Sequence, residues 1–160
     1  MKPVEELREL VEGLAAHPEL WADQVRHDPD ERVCVSLLRT DEVEVWLICW
    51  LDGHDTGFHD HDDAGAAITV VSGAVRDERL SLGGPALATT QGAGGTFTVD
   101  PGGIHRVRHA DDGPAVTIHA YSPPLQRVGT YVTAPDGRLL RLPRDGSEEL
   151  QPAADASASF

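Results

Sequence analysis

Apolar and polar positions change rhythm once along the chain, close to residue 30. Val4, Leu7, Leu10, Val11 and Leu14 recur at the spacing of one helix face, with Pro3 ahead of them and Gly13 near the end, which predicts an N-terminal helix. A second short helix is expected after Pro18, from Glu19 to Val25, with Leu20 and Trp21 on its apolar side. Beyond His27-Asp28-Pro29-Asp30 the helical period disappears. From Val33 to Leu142 short β-type runs are separated by Gly, Asp and Pro. The predicted strands are Val33–Leu38, Val43–Trp50, Ala66–Ser72, Ala74–Leu80, Gly95–Val99, Ala115–Tyr121, Val128–Thr133 and Arg138–Leu142. Ala134-Pro135-Asp136-Gly137 is a strong turn signal between the last two. This density of short strands predicts an all-β antiparallel barrel or jelly roll with short helices at its N-terminus. The expected layout is a helical segment over 1–30, a barrel over 31–145, and a small, polar, disordered tail over 146–160.

Composition narrows the classes. The chain has 160 residues and is 40% hydrophobic, enough for one domain with a real core. Its apolar runs fall short of the roughly 18 residues that a membrane-spanning helix needs. Glu5, Glu6, Glu9 and Glu12 stand where a secretory signal would be basic and then apolar. With 13 Lys and Arg against 27 Asp and Glu, the formal charge of −14 repels a phosphate backbone, so nucleic-acid partners are not expected, nor are membrane ones. Two cysteines, Cys34 and Cys49, are too few for a disulfide framework and read as buried apolar thiols, with the cytoplasm as the expected compartment. A monomer is expected.

Histidine breaks the plainness. There are eight, five of them between His54 and His109. In Gly53-His54-Asp55-Thr56-Gly57-Phe58-His59-Asp60-His61, strand alternation puts His59 and His61 on one side, where they can give a first-row metal two neighbouring ligands. His105, in Asp100-Pro101-Gly102-Gly103-Ile104-His105, sits where a third ligand would be needed. Imidazole suits iron, zinc, copper and nickel alike, and a His-x-His pair can also be a plain surface feature. By the same alternation Asp60 points outward, and with Asp62 and Asp63 it reads as a surface acid. His54 is expected on a loop, His17 and His27 in solvent, and His109 in a supporting or surface position. Trp46, Trp50 and Phe97 read as packing residues.

The spacing of Gly53, His59, His61 and Gly73, followed by Gly95, Pro101, Gly103 and His105, resembles the two motifs of the cupin superfamily, with Ala66 in place of the usual acidic ligand. One branch is closer. Ile48-Cys49-Trp50, Gly53-His54, His59-Asp60-His61, Gly103-Ile104-His105-Arg106-Val107 and Pro114-Ala115-Val116-Thr117-Ile118-His119-Ala120-Tyr121-Ser122-Pro123-Pro124 are similar, in order, to the cysteine dioxygenase family. The likeness runs from Arg39 to Pro124. It implies a cupin barrel in which His59, His61 and His105 hold Fe(2+), Thr117, His119 and Tyr121 form a catalytic triad, and Arg39 pairs with the substrate carboxylate. Thr117, His119 and Tyr121 also alternate along one predicted strand, so they share a side. Leu37 stands where the family often has a tyrosine. Ala66 stands where animal members have a cysteine cross-linked to the triad tyrosine, so Tyr121 is not cross-linked in that way.

The implied activity is an Fe(II)-dependent thiol dioxygenase that adds both atoms of O2 to the sulfur of a small thiol, foremost L-cysteine to cysteine sulfinate. The alternatives are another carboxylated thiol such as 3-mercaptopropionate, or a non-catalytic metal-binding cupin. Taking a thiol to a sulfinic acid removes four electrons, which one O2 accepts with no external reductant. The chain accordingly has no Gly-x-Gly-x-x-Gly dinucleotide fingerprint.

Overall fold

A computed structural model describes residues 1–150 of the chain. Helix α1 (Val4–Ala15) is followed by two 3-10 turns, Pro18–Leu20 and Ala22–Gln24. The strands are β1 (Val33–Arg39), β2 (Glu44–Trp50), β3 (His59–Asp60), β4 (Gly65–Ser72), β5 (Ala74–Arg79), β6 (Leu87–Gly92), β7 (Thr96–Val99), β8 (His105–Ala110), β9 (Ala115–Ser122), β10 (Arg127–Thr133) and β11 (Leu139–Asp145). They form two antiparallel sheets, ordered β1-β2-β9-β4-β7 and β11-β10-β3-β8-β5-β6. This is the all-β jelly roll that the run of short strands predicts.

The five-stranded sheet is buried on both faces, and alternation sorts its residues. From β2 and β9, Val45, Leu47, Cys49, Val116, Ile118 and Ala120 face outward and join Leu7 and Val11 of α1 in one cluster. Ile48, Trp50, Ala115 and Tyr121 face the other way, into the barrel, with Ile68, Val75, Phe97, Val107 and Val128. Helix α1 therefore covers the outer face of the sheet. Leu7 and Val11 are fully buried, and each contributes about 1.5–3 kcal/mol of apolar burial. Gly73 turns the chain between β4 and β5 at φ 68°, with the main chain of Pro114 and Ala115 too close for any Cβ.

Three expectations need correcting. The helix expected over Glu19–Val25 is instead the second half of Pro18–Leu20 and then Ala22–Gln24, two short 3-10 turns; Trp21 between them donates its indole N–H to the carbonyl of Leu14 at 2.9 Å. Strands β3, β6 and β8 were hidden from the hydrophobic pattern. β3 has two residues, β6 is an exposed polar edge, and β8 turns His105 inward where an apolar residue would signal a strand. The tail does not begin at 146: Gly146–Leu150 is a 3-10 turn, with Leu150 packed on the barrel core and Gly146 N–H bonded to the Gln126 carbonyl at 2.9 Å. Residues 151–160 of the expected tail lie outside the described residues.

Candidate active site

Neighbouring strands bring the histidines together. His59 on β3 is the direct cross-strand partner of His105 on β8, so both side chains stand on the same face with ring centroids 4.6 Å apart. His61 follows just after β3 and points the same way, with its ring 4.9 Å from His59 and 5.1 Å from His105. One nitrogen from each lies within 4.8 Å of the others, and all three residues are buried. The grouping expected from the motif spacing is present.

The outer nitrogens of two rings are fixed by acceptors. His59 Nδ1 lies 3.0 Å from the Gly57 carbonyl, which can only accept, so it is the protonated nitrogen and Nε2 turns inward. His105 Nδ1 likewise donates to Asp77 Oδ1 at 2.9 Å. That leaves His105 Nε2 with a buried lone pair and no hydrogen-bond partner. His59 Nε2 and His61 Nε2 lie 3.1 Å apart. An orphaned lone pair facing two further imidazoles fits a divalent cation, and a ligand histidine whose other N–H goes to a carboxylate or a carbonyl is the usual support for one. Burial and the neighbouring His59 push His61 and His105 well below the ordinary histidine value, which keeps them neutral. At His59 burial acts in the same direction, but the carboxylate of Glu149 prevails and raises it.

Beside this cluster runs a line of hydrogen bonds along β9. Trp50 Nε1 donates to Thr117 Oγ1 at 2.8 Å. Thr117 Oγ1 lies 2.8 Å from His119 Nε2, and His119 Nδ1 lies 3.1 Å from Tyr121 Oη. An indole N–H is a donor only, and this gives the line a direction that satisfies every group. Thr117 accepts from Trp50 and gives its proton to His119 Nε2; His119 Nδ1–H then donates to Tyr121, whose own O–H is left to reach into the site. Burial, with Arg32 and His59 nearby, lowers His119 to about 3, so its imidazole is neutral as this direction requires. Burial raises the Tyr121 phenol well above its ordinary value, which keeps its proton in place. The Tyr121 ring meets His61 edge-on, 5.0 Å between centroids. Ala66 is the direct cross-strand partner of Tyr121, so β4 offers the tyrosine only a methyl group at that position.

Other expected residues lie elsewhere. Arg39 is 64% exposed at the end of β1 and pairs at 3.2 Å with the buried Glu44. Arg32 is buried, with its guanidinium 5.3 Å from the centroid of the Trp50 ring. Asp60 points away from the barrel interior, yet it is not a surface acid. The β10–β11 hairpin covers it: Arg141 bonds both of its oxygens at 2.8 and 2.9 Å, Tyr131 donates at 2.5 Å and Gly129 N–H at 3.1 Å. Those groups outweigh burial and hold the Asp60 carboxyl far below its usual range. His27 bonds the Ala115 carbonyl at 3.1 Å and so is not simply solvated. His54 is buried and accepts the Leu51 N–H at 2.9 Å.

Sequence reasoning missed four functional candidates. Asp77 had a signal, since an acid at an inward position of a strand, in step with buried Val75, needs a polar partner. Trp50 was read as packing only. Arg32 lies just before β1 and outside any motif. Glu149 lies in a stretch with no pattern at all.

Comparison with known proteins agrees with this geometry. A sequence model described as Cysteine dioxygenase type I matches residues 2–134. The chain belongs to the cysteine dioxygenase family. Among curated cysteine dioxygenases type 1, the zebrafish (Danio rerio) protein is 28% identical over 143 residues, spanning 80% of this chain and 69% of the relative. The human protein is 26% identical over 136 residues, spanning 76% of this chain and 66% of the relative. The chain thus spans about two thirds of the length of these cysteine dioxygenases. Solved structures similar in fold include a Klebsiella pneumoniae protein with a double-stranded β-helix domain (TM-score 0.56, 22% identity, 64% of this chain and 80% of that one). A cupin superfamily protein from Desulfitobacterium hafniense is another (TM-score 0.55, 13% identity, 64% of this chain and 87% of that one). The chain therefore has a cupin fold.

Proposed function

We propose that the protein is an Fe(II)-dependent thiol dioxygenase that converts L-cysteine to cysteine sulfinate. The observation that carries this reading is the buried His59, His61 and His105 cluster standing beside the Trp50–Thr117–His119–Tyr121 line in a chain of this family. Iron held by the three imidazoles would supply a centre where a thiol sulfur and dioxygen meet. The residues of the chain do the rest. Asp77 and the Gly57 carbonyl fix the orientation of His105 and His59. Tyr121 keeps its proton and presents it at the edge of the His61 ring, where it can hydrogen-bond sulfur or oxygen. The neutral His119 holds that phenol in one orientation, and Thr117 and Trp50 hold His119 in turn.

A second reading within the same chemistry is a carboxylated thiol without an amine, such as 3-mercaptopropionate. It shares the sulfur and the carboxylate with cysteine and differs only in lacking the amine. A non-catalytic metal-binding cupin has no use for a directed hydrogen-bond line ending in a tyrosine. Oxygen uptake by the iron-loaded protein with L-cysteine, 3-mercaptopropionate and cysteamine, with the sulfinate product identified, tests all three. The reading expects the largest kcat/KM with L-cysteine. Uptake only with 3-mercaptopropionate moves the assignment to that thiol, and no uptake with any of them rejects the enzyme.

A further inference from the structure

The chain has three tryptophans, and two of them engage their indole N–H within the fold. Trp21 donates to the Leu14 carbonyl at 2.9 Å and Trp50 to Thr117 Oγ1 at 2.8 Å. Trp46 does not. Among the described residues, three buried side-chain polar atoms have no hydrogen-bond partner: His61 Nδ1, His105 Nε2 and Trp46 Nε1. The first two belong to the histidine cluster already described. The third has no partner that the fold supplies.

Strand pairing places Trp46 beside the site. On β2 it alternates with Ile48 and Trp50, which face into the barrel, and it packs on the same interior cluster. Its register partner on β9 is His119. Both ring nitrogens of His119 are engaged, Nε2 with Thr117 and Nδ1 with Tyr121, so this neighbour has no lone pair to offer. The Trp46 ring is only half-buried, yet its nitrogen is shut off from solvent. The carbon edge reaches water and the donor does not.

Chemistry narrows the missing partner. An indole nitrogen can only donate, and a buried donor left unpaired carries its full desolvation cost, so its partner is an acceptor from outside the chain. A thiol dioxygenase takes a small thiol into this barrel with the sulfur toward the histidines. The ammonium of cysteine is itself a donor and cannot pair with an N–H. The carboxylate is the acceptor that remains, and a hydrogen bond to an anion is the stronger kind.

We propose that Trp46 Nε1–H donates to the substrate carboxylate and thereby selects carboxylated thiols. The proposal rests on the thiol dioxygenase reading, and its test separates the two. Affinity for L-cysteine, 3-mercaptopropionate and cysteamine, which has no carboxylate, is measured by anaerobic calorimetry on the full Fe(II)-loaded chain. The proteins compared are wild type, Trp46→Phe and Trp46→benzothienylalanine, an isostere with sulfur in place of the N–H. Both variants should bind the two carboxylated thiols on the order of 10- to 100-fold more weakly, and cysteamine within about 2-fold of wild type. KM for L-cysteine should rise by the same factor with kcat nearly unchanged. Without ligand, the isosteric variant should unfold at the wild-type temperature, because an unpaired N–H holds nothing in place. Equal losses for all three thiols would overturn the proposal by making Trp46 a wall of the cavity. Unchanged affinity of the isosteric variant for L-cysteine, or a lower unfolding temperature without ligand, would overturn it as well. Each of these results leaves the dioxygenase reading standing. A wild type that binds none of the three thiols would overturn that reading, and this proposal with it.

Discussion

Single residues divide the site into groups that hold an ion and groups that hold a proton, and substitutions should separate them. Tyr121→Phe removes the last hydroxyl of the line and nothing that touches the three imidazole nitrogens. It should lower kcat by about 10- to 100-fold, as expected of a lost positioned donor, while iron stoichiometry stays at the wild-type value. Loss of iron together with activity would mean that the tyrosine belongs to the ion's own shell. Asp77→Asn is the converse case. Without the carboxylate that receives the His105 Nδ1 proton, metal affinity should fall by about 10- to 100-fold, read by chelator competition. His59 and His61 were legible from strand alternation, and His105, Thr117, His119 and Tyr121 through the resemblance to the family's motifs. Asp77, Arg32 and Glu149 were not, because each acts through a contact between elements far apart in the chain.

Elements position these groups through pairing that the hydrophobic pattern only half reveals. β2 and β4 read clearly because both of their faces are largely apolar, and β9 because Val116, Ile118 and Ala120 form an apolar face against α1. β3 is only two residues long and β8 has Val107 as its one buried apolar inward residue, so His59 and His105 stand where further apolar residues would mark a strand. Asp60 shows the same blindness. Alternation gave its direction correctly, outward from the barrel, but not the β10–β11 hairpin that covers it. That hairpin is fastened to β3 through Asp60, so Asp60→Asn should destabilise the fold by about 1–3 kcal/mol, the worth of hydrogen bonds to a charged group. Chemical denaturation with an unchanged m-value is the check, and a change below about 0.3 kcal/mol would show that the hairpin docks without this anchor. Gly129 belongs to the same contact. A Cβ there would meet the Arg141 guanidinium and come 2.7 Å from Asp60 Oδ2, so alanine would have to displace that pairing.

The whole molecule carries a strongly acidic charge, and much of what steadies it against that charge is a set of specific carboxylate bonds. Asp55 is bonded by the Arg106 guanidinium, and by the Gly57 N–H at 2.7 Å. Burial pushes the Asp55 carboxyl up, but Arg106 and Gly57 prevail and hold it below its ordinary value. A carboxyl depressed in the folded state adds stability above its unfolded value and loses it as the pH falls through the folded one. Stability should therefore be level near neutrality and decline below about pH 4, and Asp55→Asn should flatten part of that decline. Unfolding midpoints from pH 7 to pH 3 for the two proteins provide the comparison; parallel curves would mean that Asp55 contributes nothing to the acid transition. The overall architecture was legible from strand number and turn chemistry, and so was the barrel interior as the place of chemistry. The ordered C-terminal turn was not, since Gly146–Leu150 shows no periodicity and is fixed by Leu150 and Arg32.

The claim beneath all of this is that three imidazoles inside the barrel hold ferrous iron where a thiol is oxidised. It is tested most directly by following dissolved oxygen, cysteine and cysteine sulfinate together after anaerobic Fe(II) loading, for wild type and His105→Ala. The account predicts one O2 consumed and one sulfinate formed per cysteine in wild type, with neither iron retained nor oxygen consumed in the variant. Full turnover by His105→Ala, or a wild type that takes up oxygen and yields cystine without sulfinate, would contradict it.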